Sequence, residues 1–423
     1  MKYKLCIFVL LCFVFLMMGI LKSEEQDIEY LIEQLGGEDV SARLQAAEAL
    51  GEIGSTAQDA VPALIEVLRD EGYNYLFKSF QAEAARRKAA WALGQIGESA
   101  KTVLVTALKS ESDLIRVGAA YALYQIDESK LSMVMPVLIE GLNDDEDVAS
   151  DAAWALGEIG AAAKDATPTL IEALKNPSPN VRRSATSALS AIGTSAVPSL
   201  TQTLEKEDSL LRIGSAYTLY QIDESKLNMV MPILIEGLSD ENEEIRSQSA
   251  WMLSQIGAAA KDAVPALVEA LTDKHEEVRT IAVEALGAIG DAAAVPALIG
   301  ALKDEVLNIR GSAIGALIQI GKPAAPLLAQ AFSNEDNQVR IGVAAPLAQA
   351  DPTKAGMVIP VLIEGLSDED SSVRLIAASI LGEMGPLAQM AMPALIKALG
   401  DSHDWVRGVA ASALGNIGEP AMP

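Results

Sequence analysis

Histidine, cysteine and aromatic residues are scarce in this chain. Of its 423 residues two are histidine, two are cysteine and 4% are aromatic. Cys6 and Cys12 both fall in the first 22 residues, so the remainder can form neither a disulfide nor a thiolate metal site. His275 and His403 stand in polar turns, and a Ser–His–Asp arrangement would have to use one of them. No nucleophile motif, phosphate loop or ligand cluster stands elsewhere, so the residues offer no catalytic group, metal site or cofactor site. Basic residues are also few: 32 Lys and Arg against 58 Asp and Glu leave a net charge of −26. Without Lys2, Lys4 and Lys22 the remainder stands at about −29. That sign excludes DNA, RNA and anionic lipid as natural partners and favours a protein or peptide of basic character. The acidic turns DDED, DENEE and DEDSS read first as a solvated rim, because none has the spacing of a dedicated calcium loop.

A repeated unit is what the chain does contain. Val264 to Gly290 reads VPALVEALTDKHEEVRTIAVEALGAIG. Pro265 suits the first turn of a helix, where its missing N–H is harmless, and Leu267, Val268 and Leu271 give one apolar face. Thr272 to His275 is a polar turn. Val278, Ile281, Ala282, Ala285, Leu286 and Ile289 then follow at helical offsets, and Gly290 supplies a left-handed cap. Pro136, Pro168, Pro198, Pro232, Pro265, Pro296, Pro326, Pro360 and Pro393 mark the same point in successive copies, 30 to 34 residues apart, with Pro62 upstream. One repeat between Pro62 and Pro136 lacks its proline, and a proline-free first copy begins near Asp27. A two-helix hairpin cannot bury both apolar faces alone, so about twelve copies must stack into an all-α solenoid.

Several residues share one spacing through the copies: Asp240 with Arg246, Asp273 with Arg279, Asp304 with Arg310, Asn334 with Arg340, Asp368 with Arg374 and Asp401 with Arg407. With Pro-x-Leu-Ile/Val-x-x-Leu in the first helix and a closing Leu-Gly-x-Ile-Gly, the pattern resembles the HEAT repeat in the bacterial, phycobilisome-lyase-like form, from about residue 27 to the end. The resemblance implies a right-handed α-solenoid with second helices on the concave side, in which arginines and turn acids form a structural ladder between repeats. Ala149 replaces one arginine and breaks it. HEAT-like enzymes include bilin lyases and deoxyhypusine hydroxylase, whose di-iron centre uses several His-Glu pairs. Here only His275-Glu276 forms such a pair, so that site is not expected, and the lyase-like alternative has only the repeat type behind it.

Residues 1–22 set Lys2 and Lys4 before an apolar run from Leu5 to Leu21, closed by Lys22. The segment is a signal peptide or an N-terminal membrane anchor, with a run longer than the about 7–15 residues of a signal core and shorter than the about 20 of a span. Either one exports the solenoid at 23–423 to the periplasm or cell envelope. Membrane contact is expected only through that segment. The second repeat carries an insertion at about 70–82 that includes Tyr73, Tyr75, Phe77 and Phe80. It reads either as a binding loop or as a lid on its own repeat. Tyr121–Pro136 and Tyr217–Pro232 are near-copies, pointing to duplication of a three-repeat block. The end at Pro423, where another helix-opening proline is due, leaves either an uncapped repeat open to end-to-end self-association or a fragment of a longer array.

Aromatic residues cluster at particular helix positions. Counting from the residue before the arginine, offset 6 holds Trp91, Tyr121, Trp154, Tyr217 and Trp251, and offset 9 holds Tyr124 and Tyr220. These offsets point away from the hairpin's own core. Glu284 and Gly315 replace the rings further on. Two readings stand: the rings line a groove that binds a peptide, or each lies flat on the neighbouring repeat beside a glycine. The chain is accordingly expected to be a non-catalytic interaction scaffold in the envelope. A lyase-like enzyme and a purely structural spacer are the alternatives.

Overall fold

In the unit read above, Val264–Ala270 and Glu276–Ile289 are helices. Asp273 shapes the turn between them by accepting the His275 backbone N–H at 2.9 Å. Gly290 ends the hairpin in the left-handed region at φ 72° and ψ 19°. Leu267, Val278, Ala282, Ala285, Leu286 and Ile289 are buried, as the periodicity requires. The computed structural model describes residues 27–70, 78–334 and 336–418, and every regular element among them is helical. The leader at 1–22 and the ring-bearing positions Tyr73, Tyr75 and Phe77 lie outside the described residues. Among the described residues no single helix is long and apolar enough to cross a membrane.

The chain divides into two compact units, Met1–Ser225 and Lys226–Pro423. Within each, hairpin follows hairpin. Second helices pack closely on one another along the array, while successive first helices hardly meet. Each unit is thus a stretch of α-solenoid with second helices on its inner face.

The arginines and turn acids form the ladder. In the second unit Arg246 donates to the Asp240 carbonyl of its own turn at 2.8 Å and to both carboxylate oxygens of Asp273 in the next turn at 2.6 and 3.0 Å. Arg279 repeats this with Asp273 and Asp304, and Arg374 with Asp368 and Asp401. Such two-pronged pairs fix the register between hairpins. Asn334 supplies no carboxylate, and Arg310 Nε has no hydrogen-bond partner among the described residues. Several acids of the rim cap helices: Asp145 accepts from the Val148 N–H and Asp370 from the Ser372 N–H.

The marker prolines need one correction. Pro62, Pro168, Pro198 and Pro265 sit in the first turn, but Pro136, Pro232 and Pro360 lie inside longer helices, Leu131–Gly141, Leu227–Gly237 and Ala355–Gly365. The lead-in decides this. Where an aspartate such as Asp127 replaces the glycine and accepts the Ser129 N–H, the helix begins a turn earlier and runs through the proline.

Candidate functional site

Trp91 projects from the helix Lys78–Ile96 onto the preceding second helix, Val40–Ile53. Its ring lies where a Cβ on Gly51 would sit, 2.4 Å from the nearest ring carbon, so the contact requires glycine. Lys88 Nζ covers the ring, 4.9 Å from its centroid. Tyr121 is only 3% exposed and meets Trp154 edge-on, with centroids 4.5 Å apart. Its hydroxyl accepts from Gln125 Nε2 at 2.8 Å. Burial pushes that hydroxyl above the usual tyrosine range, and Glu158 beside it adds to the rise. Tyr217 is 6% exposed and takes the same bond from Gln221; burial raises its pKa too. Tyr124 and Tyr220 are half-buried, and burial and Glu128 raise Tyr124.

Tyr121 and Tyr217 are therefore packed, as the second of the two readings of these rings describes. Trp91 and Trp154 are half-covered by cations of the chain itself, for Arg87 stacks 5.4 Å from the Trp154 centroid. Trp251, in the second unit, is 42% exposed.

A charged cluster surrounds Trp154 that the sequence reading did not find. Arg86, 2% exposed, donates to Asp151 at 2.6 Å and to Asp147 at 3.0 Å, and Arg87 donates to Asp151 at 2.9 Å. Burial works against the Arg86 charge, and the two aspartates outweigh it, holding its pKa above the usual value. The ladder explains the cluster. The turn after Arg86 has Ser110 where an aspartate is usual, so Arg86 reaches past it to the helix Glu146–Ile159. That helix carries buried Ala149 in place of its own arginine. A substitution in each partner position was the available signal.

The second unit has an open groove of about 430 Å³ on its inner face, bordered by Ser254, Gln255, Glu284, Ser312, Gly315 and Gln319. Its floor includes the offset-6 positions where rings give way to Glu284 and Gly315. No atom lies within 4 Å of a Cβ built on Gly315. Trp251 stands four residues before Gln255 on the same helix, Glu243–Ile256. Among the described residues no group of three or more His, Cys, Asp or Glu is placed to hold a metal ion.

The model of the HEAT repeats family matches residues 75–148, 135–220, 197–283, 231–309, 264–348 and 359–423. The chain belongs to the HEAT-repeat family. A PBS lyase HEAT-like repeat matches residues 42–70. Yeast importin-β (Kap95p) has a similar fold, with TM-score 0.52 and 16% identity over 93% of this chain and 62% of that one. Kap95 in its complex with Nup1 gives TM-score 0.53 and 16% identity over 93% and 62%. Kap121p gives 0.51 and 12% over 90% and 48%. The chain thus spans about six-tenths of the length of the importin-β it matches. No curated protein matches it.

The HEAT motif's Leu-Gly-x-Ile-Gly acquires a physical meaning here. Its first glycine, at offset 9, admits the next second helix: a Cβ on Gly287 would meet Ala316 Cα at 2.8 Å, and one on Gly382 would meet Ala413 Cα at 2.9 Å. Trp405, 73% exposed and outside the offsets singled out above, is a further residue the sequence reading passed over.

Proposed function

We propose that this HEAT protein is a non-catalytic scaffold that holds an extended segment of a partner protein in the inner groove of its second unit. The carrying observation is the open trough at Gly315, bordered by amide, hydroxyl and carboxylate groups beside the exposed Trp251 ring. Gln255 and Gln319 are exposed and can bond peptide N–H and C=O groups, while Trp251 offers rigid apolar area. Glu284 and the net charge of −26 favour a segment carrying lysine or arginine. The fold neighbours support use of such a surface for proteins, since Kap95 is found in complex with Nup1. A place in the cell envelope rests on the residues of the leader, Lys2 to Lys22, and on nothing else.

Gly315→Trp tests the reading, because the new ring fills the groove and its Cβ meets no neighbour. Displayed random peptides are selected on the full chain and rebound to the variant. Supporting peptides carry basic residues and lose at least about tenfold in affinity on Gly315→Trp with helical CD unchanged. Selection of nothing above background, or equal binding to both proteins, overturns it.

A further inference from the structure

A ring and a glutamine recur together near the ends of the second helices. Trp91-Ala-Leu-Gly-Gln-Ile, Tyr121-Ala-Leu-Tyr-Gln-Ile, Tyr217-Thr-Leu-Tyr-Gln-Ile and Trp251-Met-Leu-Ser-Gln-Ile each set an aromatic residue four before the glutamine, on the same helix face. Gly315-Ala-Leu-Ile-Gln-Ile keeps the frame and drops the ring. Ala345 also stands four before a glutamine, Gln349, but it is only 5% exposed, so no space opens over it.

The tyrosines show what a ring at this position meets. In Tyr121–Gln125 and Tyr217–Gln221 alike, the hydroxyl accepts from the glutamine Nε2 at 2.8 Å. Gln319 is set as Gln125 is. A Cβ on Gly94 would strike Gln125 Oε1, and one on Gly287, at the same offset of its own second helix, would meet Gln319 Oε1 at 2.8 Å. With Oε1 over that glycine, Nε2 is left to donate above Gly315. No atom lies within 4 Å of a Cβ built on Gly315, and the groove of about 430 Å³ includes that space. Ala288 and Ala316, beside Gly315 in the lining, offer only methyl groups, a low apolar surface for the face of a ring. Trp91 lies on a comparable surface at Gly51. The exposed Glu284 adds a carboxylate to the same groove.

We propose that the groove receives a tyrosine side chain of the partner segment, with a lysine or arginine of that segment close by. The ring lies over Gly315 against Ala288 and Ala316, the hydroxyl accepts from Gln319, and the basic residue faces Glu284. The partner thus supplies in the second unit the residue that the chain itself supplies at Tyr121 and Tyr217. Phenylalanine fills the space without the hydroxyl, and leucine offers no flat face. This inference rests on the inner-groove reading and adds the side chain that the groove selects.

The probe is acetyl-Lys-Ser-Tyr-Ser-Lys-amide, titrated into the full chain and followed by alanine-methyl NMR, beside versions with phenylalanine, leucine or serine in place of tyrosine. Ala288 and Ala316 methyl signals move with the two ring-bearing peptides. The phenylalanine peptide binds about fivefold more weakly than the tyrosine peptide, and the leucine and serine peptides at least about tenfold more weakly. Gln319→Leu brings the tyrosine peptide down to the affinity of the phenylalanine peptide and leaves the latter unchanged. Gly315→Tyr puts the chain's own ring in place and weakens the tyrosine peptide at least about tenfold. Gln319→Leu, at an exposed position, carries the test if Gly315→Tyr lowers the melting temperature. Equal affinity for the tyrosine and leucine peptides, unmoved Ala288 and Ala316 signals, or an equal effect of Gln319→Leu on both ring-bearing peptides overturns the inference. Peptides selected by display separate it from the reading beneath it. Groove binders with no enrichment in tyrosine overturn this inference alone, and selection of nothing above background overturns both.

Discussion

Replacing Asp151 by alanine tests whether the cluster around Trp154 holds its helices together. Asp151 is 6% exposed and receives both Arg86 and Arg87. Breaking a buried pair by removing one partner costs about 3–5 kcal/mol, because the other charge stays buried. Arg86 keeps Asp147 and the Asp70 carbonyl, and Arg87 keeps Glu83 and Ser150, so the lower end, about 3 kcal/mol, is expected. The double variant Arg86→Met with Asp151→Leu removes both charges and should return to within about 1 kcal/mol of the parent. Urea unfolding followed by CD gives the size of the effect. A repeat array can unfold in parts, so amide exchange in the helices Lys78–Ile96 and Glu146–Ile159 supplies the local reading. A loss below about 1 kcal/mol in Asp151→Ala, or a double variant as unstable as the single, would refute the reasoning.

Two glycines should respond oppositely to alanine. Gly287→Ala forces a Cβ against Ala316 and should lose about 1–3 kcal/mol, whereas Gly315→Ala meets nothing and should gain about 0.5–1 kcal/mol by helix propensity, both read from urea midpoints. The Arg374 hydrogen bonds hold the Asp401 carboxyl below the usual carboxylate range. A depressed folded pKa contributes stability above the unfolded value and loses it as pH falls through the folded one, so Arg374→Met should shift the acid transition, followed by CD, to higher pH. Tyr217→Phe should keep fold and peptide binding while giving up the bond from Gln221, whereas Tyr217→Ala should lower the melting temperature.

The hairpin was legible because its determinants are local. Proline in the first turn, a capping side chain before the second helix and glycine after it act within a few residues, and Arg246 with Asp273 needs only a fixed repeat length. The long helices were misread at Pro136 and Pro232 for the same reason: a strong marker of helix starts was weighed above the Asp-Glu-Ser-Lys lead-in, which sets the start itself.

The two readings of the aromatic positions stayed open on a different ground. A helical projection orients Tyr121 against its own hairpin and says nothing of how near the next second helix comes. That spacing is set by other residues. Gly51 lets the Trp91 ring close the gap, and Gly287 lets Ala316 and Gln319 do so. Tyr121 is thus covered by Trp154 of the following second helix and becomes core, whereas Trp251 at the same offset stays 42% exposed. Where offset 6 falls to Gly315 the covering atoms are missing, and the trough opens. At Gly315 the absence of a side chain leaves a groove between closely packed second helices, whereas Tyr121 and Tyr217 close the inner face in the first unit.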